Sequence, residues 1–251
     1  MARRDAPPDA FGRTAREYEL GRPLWPEEQL DRIVADLGLG PDATVVDLGA
    51  GTGKLTRALV PRFARVVAVE PDEAMLAVLE EVVPRAEARR GSAEEIPLED
   101  DEVDAVFSGE AFHWFATPEA LAEIVRVLQP RGAIVVFWNI GLEYPDLGEE
   151  VDALIDETME RGGVPGLPRV LSGEWRAPIA DAGFEEVRED EVDRELLTDR
   201  DHWIAYMLSV SSIAAQPNET RDAFAARLRE LVPPGELRRL VRTVVYWTRR
   251  A

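Results

Sequence analysis

The chain has 251 residues, 45% of them hydrophobic, with 29 basic against 49 acidic side chains and a formal charge of −20. That length allows one or two domains and one sizeable core. The absence of cysteine and the presence of two histidines exclude disulfides and thiolate sites and leave little to hold zinc, so no metal is expected. The charge repels nucleic-acid phosphates. No apolar run reaches the roughly twenty residues of a membrane span, and MARRDAPPDA lacks the apolar centre of a signal peptide. The expectation is a cytoplasmic protein without nucleic-acid or membrane partners, monomer or homodimer. The one basic concentration, Arg238, Arg239, Arg242, Arg249 and Arg250, reads as solvated or ion-paired surface.

In chain order, residues 1–12 are charged and proline-bearing and are expected to dock loosely. Phe11 to Pro26, FGRTAREYELGRPLWP, mixes aromatics with arginines. With it the N-terminal stretch 1–26 reads as a lid in which Tyr18, Arg22 and Trp25 fold back over a ligand. Pro26-Glu27-Glu28 starts a helix with apolar Leu30, Ile33, Val34 and Leu37, which Gly38 and Gly40 stop. Thr44 to Leu48 then reads as a buried strand, and Leu55 begins a helical pattern within 53–61. Between them Gly49, Gly51 and Gly53 form a loop whose backbone can approach a ligand.

Spacing narrows the ligand. A P-loop fails because Leu48 and Leu55 stand where its first glycine and its hydroxyl belong. The dinucleotide fingerprint finds Lys54 in place of its third glycine. Asp47, just before the loop, disfavours a pyrophosphate and favours a cation. Glu70 ends the apolar run Val66–Val69 about twenty residues on, where such folds place an acid for ribose hydroxyls. A ligand with a ribose and positive charge follows. An NAD-dependent Rossmann oxidoreductase is the competing reading.

The stretch VVDLGAGTG, Val45 to Gly53, resembles the first motif of the class I S-adenosylmethionine-dependent methyltransferases. The resemblance implies that Gly49, Ala50, Gly51, Thr52 and Gly53 hold the methionine portion, with Tyr18 or Arg22 at its carboxylate and Asp47 near its cationic groups. It implies that Glu70, followed by Pro71, binds the ribose, and that Ser92, Ala93 and Glu94 bracket the adenine. Gly109-Glu110-Ala111-Phe112-His113-Trp114-Phe115 resembles the small-molecule branch that includes trans-aconitate methyltransferases, which brings Gly109, Glu110, Ala111 and Trp114 to the cofactor. The fold implied is α/β, a doubly wound, mostly parallel seven-stranded Rossmann-like sheet with an antiparallel last strand. One domain, 1–251, carries a helical cap from insertions 139–173 and 199–237.

The remaining periodicity agrees with that frame. Strands are predicted at 65–70, 86–90, 103–108 and 132–138, with helices at 72–82 and 118–128, the latter capped by Thr117. Beyond Trp138 the pattern predicts helices at 147–161 and Glu174–Ala182, a loop Gly162–Pro168 and a strand Phe184–Arg188. Helices around Asp201–Val210 and Thr220–Leu231 and a last strand near 241–248 follow. Methyl transfer from a sulfonium is an in-line displacement that needs alignment and dryness more than a nucleophilic side chain. His113 is the candidate base for a protonated acceptor. A carboxylate acceptor needs none, and Arg22, Arg169 or Arg176 would bind it. His202, beside Trp203, reads as packing or surface. A non-catalytic S-adenosylmethionine-binding protein would keep the loop and lack an acceptor pocket.

Overall fold

The computed structural model describes residues 12–162 and 170–251. The expectations for residues 1–11, for the loop Gly162–Pro168 beyond its first residue and for Arg169 lie outside the described residues. Strands β1 (Thr44–Leu48), β2 (Arg65–Glu70), β3 (Glu87–Arg90), β4 (Val103–Gly109), β5 (Leu128–Glu143), β6 (Arg188–Asp199) and β7 (Glu236–Arg249) form one seven-stranded sheet in the order β3-β2-β1-β4-β5-β7-β6. The first five pair in parallel, while β7 runs antiparallel to both β5 and β6. This is the Rossmann-like methyltransferase sheet with its reversed final strand.

The strands are apolar on both faces because helices cover both. Val46, Val67, Val106 and Ile134 enter one core, and Val45, Val66, Ala105 and Val135 the other. Each such buried valine or isoleucine contributes on the order of 1.5–3 kcal/mol relative to exposure. Helices α1 (Ala15–Gly21), α2 (Glu27–Asp36), α3 (Lys54–Leu59), α4 (Glu73–Val82), α5 (Phe112–Phe115) and α6 (Pro118–Val127) precede β5. The Thr117 cap is made, its side chain accepting from the Ala120 amide. Among the described residues no helix is long and apolar enough to cross a membrane.

Helices α7 (Glu149–Gly162), α9 (Arg200–Leu208), α10 (Ser211–Ala214) and α11 (Asn218–Leu231) form a separate apolar cluster around Trp203, Ile213, Phe224 and Leu228; α8 (Arg176–Asp181) packs instead beneath the sheet. Gly21 lets α1 press on α9, since a Cβ there would lie 2.0 Å from the Tyr206 amide nitrogen.

Three strands differ from the sequence reading, β5 among them, since it runs from Leu128 to Glu143 beyond the predicted 132–138. The strand expected at Phe184–Arg188 is an isolated bridge between Phe184 and Arg250, and β6 begins where that prediction stopped. Its sequence, REDEVDRELLTD, carries the charges of a solvent-facing edge and so reads as loop. β7 starts at Glu236, well before 241, because Glu236–Trp247 pairs along the whole of β6. The turn at Gln129–Gly132 is carried inside β5 as a register irregularity, with Arg131 at φ 66°.

Candidate active site

The strand order reverses between β1 and β4, the place where open α/β sheets bind ligands. A cleft of about 820 Å³ opens there at the carboxyl ends of the strands. Its floor is the loop after β1. The Gly49 and Ala50 amides donate to Val69 O at 2.9 and 3.1 Å, and Gly51 N donates to Glu70 Oε2 at 2.8 Å. Gly51 has φ +57°, and a Cβ added there would meet only Tyr18, at 3.9 Å, so the space above it is open to the cleft. Gly51→Ala should therefore leave the fold intact apart from the roughly 1–2 kcal/mol of left-handed strain and weaken cofactor binding at least about tenfold, as thermal unfolding and titration calorimetry would show together.

Glu70 is 8% exposed and uses both oxygens, Oε1 accepting from the Asp72 amide at 3.0 Å. Burial pushes its carboxyl up to about 6, while the Asp72 and Gly51 amides pull the other way. Asp72 caps α4 by accepting from the Ala74 and Met75 amides. Asp47 is fully buried beneath the loop and takes the Thr56 hydroxyl on Oδ2 at 2.6 Å, while Oδ1 has no partner. Burial pushes Asp47 up to about 7, opposed by Thr56 and reinforced by the nearby charge of Glu70. Both acids thus stand poised for a cation or hydroxyl donors to complete them.

The N-terminal helix closes one side. Tyr18 lines the cleft, and burial raises its phenol above the usual range. Glu19 ties α1 to the glycine loop, accepting from Thr52 Oγ1 at 2.8 Å and Arg57 Nη2 at 2.7 Å and pairing with Lys54. Glu110, at φ 59°, lines the other side and accepts from the Asn139 amide at 2.9 Å. Burial raises its carboxyl, and Arg22 and Asn139 oppose that.

Of the residues singled out from sequence, Tyr18, Gly49, Gly51, Glu70, Pro71, Ser92, Ala93, Glu94, Gly109, Glu110, Ala111 and Trp114 line the cleft together. Asp47, Ala50, Thr52 and Gly53 stand behind it: Ala50 packs on Ala68 and Leu79, and Gly53 caps α3 in the left-handed region. Arg22 turns away toward the cap, its Nε donating to Ser209 Oγ at 3.0 Å and Nη2 to Ser209 O at 3.1 Å. Trp25, expected over the ligand, is buried under Gly109 against Phe137 instead. Arg176 pairs with Glu189 at the surface and lies over Trp175 and Tyr246. His202 is an exposed partner of Asp199.

His113 does not line the cleft. Trp138 Nε1 donates to its Nδ1 at 3.0 Å. An indole N–H only donates, so Nδ1 holds the lone pair and Nε2 the proton, and the neutral ring has no free nitrogen lone pair to receive another. That arrangement argues against the base role expected from sequence.

Sequence reasoning missed Asp72, Asn139 and Arg239. The first follows Glu70-Pro71 as a recognisable helix cap. The sequence groups Arg239 with surface arginines, and three of those are indeed ion-paired, Arg238 to Asp146, Arg242 to Asp193 and Arg250 to Asp101. Arg239 is 2% exposed, with Nε and Nη2 unpartnered, and each such orphaned donor costs about 1–3 kcal/mol or more if nothing completes it. The signal was the alternation of β7, where Arg239 is in phase with buried Leu237 and Val241.

The fold and cleft define a cofactor-binding α/β protein of the methyltransferase kind, and comparison with known proteins agrees. The methyltransferase-domain family profile matches residues 46–136. An uncharacterized methyltransferase of Schizosaccharomyces pombe is 33% identical over 227 residues, 88% of each chain. One of Mycobacterium tuberculosis strain H37Rv is 42% identical over 162 residues, which span 62% of this chain and 64% of that relative's length. A solved structure from Anaeromyxobacter dehalogenans, assigned as a type II methyltransferase, superposes with a TM-score of 0.66 at 24% identity, over 91% of this chain and 97% of that one. The chain belongs to the class I S-adenosylmethionine-dependent methyltransferase family.

Proposed function

We propose that this protein transfers a methyl group from S-adenosylmethionine to a carboxylate or hydroxyl oxygen of a small-molecule acceptor. The observation that carries this reading is Glu70, buried at the end of β2 with both oxygens tied to amides that shape the cleft. Its remaining lone pairs suit a ribose diol. Gly51 leaves room for the amino-acid portion, a Cβ there meeting only Tyr18 at 3.9 Å, and Ala93 and Glu94 line the same cleft on the side this reading gives to the adenine. Asp47, with Oδ1 unpartnered behind the loop, supplies negative field to the cationic groups. When bound, the cofactor supplies a methyl group already activated on a sulfonium.

The chain then has to align the acceptor and exclude water. Tyr18, Trp114 and Phe115 wall the cleft with apolar surface, a feature that favours an enzyme over a non-catalytic binding protein. The Trp138 bond orients His113 in α5, just after β4. His113→Asn should lower turnover less than about tenfold, against the roughly 10²–10⁴ that removing a general base costs. The direct experiment is to follow S-adenosylhomocysteine formation with a panel of small carboxylic acids and alcohols. Turnover of an acceptor by the wild type, absent in Glu70→Ala, supports the reading; cofactor binding with no turnover across the panel would favour the non-catalytic protein.

A further inference from the structure

Beneath the cap lies a cationic group that the cofactor cleft does not use. Arg239 Nη1 donates to Gly21 O at 3.2 Å, and its guanidinium lies 3.9 Å from the Tyr206 ring centroid and 5.8 Å from that of Tyr144. Arg22 reaches the same Tyr206 ring and the Tyr18 ring, each at 5.0 Å. Tyr18 and Glu110 line the cofactor cleft, and Arg22 lies over the Tyr18 ring, so the cationic group adjoins the cleft on its cap side.

The charges there do not balance. Arg22 and Arg239 both act on Glu110, and Arg194 adds its field to Arg239. Arg194 donates from Nη1 to Leu24 O and from Nη2 to Thr243 Oγ1, so only its Nε is left unpartnered and its Nε/Nη2 edge is half filled. Among the described residues Glu110 is the carboxylate that acts on both Arg22 and Arg239, and its Oε1 is already taken by the Asn139 amide. In a chain of formal charge −20, this is a local surplus of positive charge under cover.

The open edge of Arg239 has a specific shape. Nε–H and the neighbouring Nη2–H point the same way and form a two-pronged fork for a carboxylate. Arg242, three residues along the same strand, uses that edge on Asp193, with Nε–Oδ1 at 2.6 Å and Nη2–Oδ2 at 2.7 Å. Arg238 turns its Nε and Nη2 to Asp146 in the same manner. Arg239 alone of these has the fork buried and unfilled. We propose that the Nε/Nη2 edge of Arg239, with Arg22 beside it, is the anion site of the acceptor pocket, and that the methyl acceptor carries a carboxylate group held there. The proposal rests on the methyl-transfer reading of the adjacent cleft.

The test is calorimetric titration of the full chain, loaded with S-adenosylhomocysteine, with the straight-chain dicarboxylates malonate to adipate, their dimethyl esters and inorganic phosphate. A dicarboxylate should bind at least tenfold tighter than its diester and than phosphate. Arg239→Met should lose at least tenfold of that affinity while holding S-adenosylhomocysteine within threefold, and Arg239→Lys, which keeps the charge without the fork, should recover it in part. Equal binding of acid and ester, preference for phosphate, no anion binding by the loaded wild type, or full anion binding by Arg239→Met would each overturn the proposal. If Arg239→Met does not fold, the wild-type comparison and Arg239→Lys still decide. Failure of the wild type to bind S-adenosylhomocysteine would instead strike the methyl-transfer reading beneath it.

Discussion

Glu70→Ala is expected to weaken S-adenosylhomocysteine binding at least about a hundredfold. The carboxylate holds the Gly51 amide at 2.8 Å and the Asp72 amide at 3.0 Å, so it joins the β1 loop to the start of α4 before any ligand arrives. Hydrogen bonds to a charged group contribute about 1.5–3 kcal/mol each. Alanine removes both of them together with the ribose acceptor. Glu70→Gln should fall between, because its amide oxygen can accept from one backbone N–H while its NH₂ group faces the other. A parallel melting experiment should show losses of several degrees for alanine. Unchanged affinity in Glu70→Ala would remove Glu70 from the cofactor site.

The second large effect is on pH dependence. Burial raises Asp47 to about 7 and Glu70 to about 6, each above its value in an unfolded chain. Below about pH 4 both folded and unfolded forms are protonated, and the burial costs nothing. As pH rises toward 7 the unfolded chain ionises first, so the ligand-free protein should lose stability across that window and level off above it. For Asp47 the loss is on the order of 4 kcal/mol, at about 1.4 kcal/mol per pH unit, before any relaxation. A cationic ligand reverses the sign by favouring ionised Asp47. Its binding should therefore release a proton and tighten as pH rises through about 7. Melting curves from pH 5 to 8 with and without S-adenosylmethionine, repeated on Asp47→Asn, check both halves. A ligand-free protein whose stability rises over this range, or an Asp47→Asn profile identical to wild type, would contradict the account.

Much of this was legible in the residues. Thr44–Leu48, the three glycines and Glu70 carry local signals strong enough to fix a strand, a left-handed loop and an acid at a strand end, and the cleft assembles around them. Asp47 is expected at the strand end facing the loop, near the ligand's positive charge; its burial behind the loop on Thr56 depends on which face of a doubly covered strand it takes, which local sequence does not state. His113 illustrates a second limit. Its suitability as a base depended on what its nitrogens meet, and Trp138, 25 residues away, decided that. β6 was hidden because an edge strand advertises charge rather than apolar alternation. Arg239 was hidden for the opposite reason: arginines are mostly exposed, and the exception required the register of β7 against β5 and β6.

The measurement that bears most directly on the central claim is titration calorimetry of the purified chain with S-adenosylhomocysteine and, separately, with NAD. The account predicts binding of S-adenosylhomocysteine at micromolar affinity, about −8 kcal/mol, with loss in Glu70→Ala and no heat from NAD. Binding of NAD in its place, or of neither ligand, would contradict it.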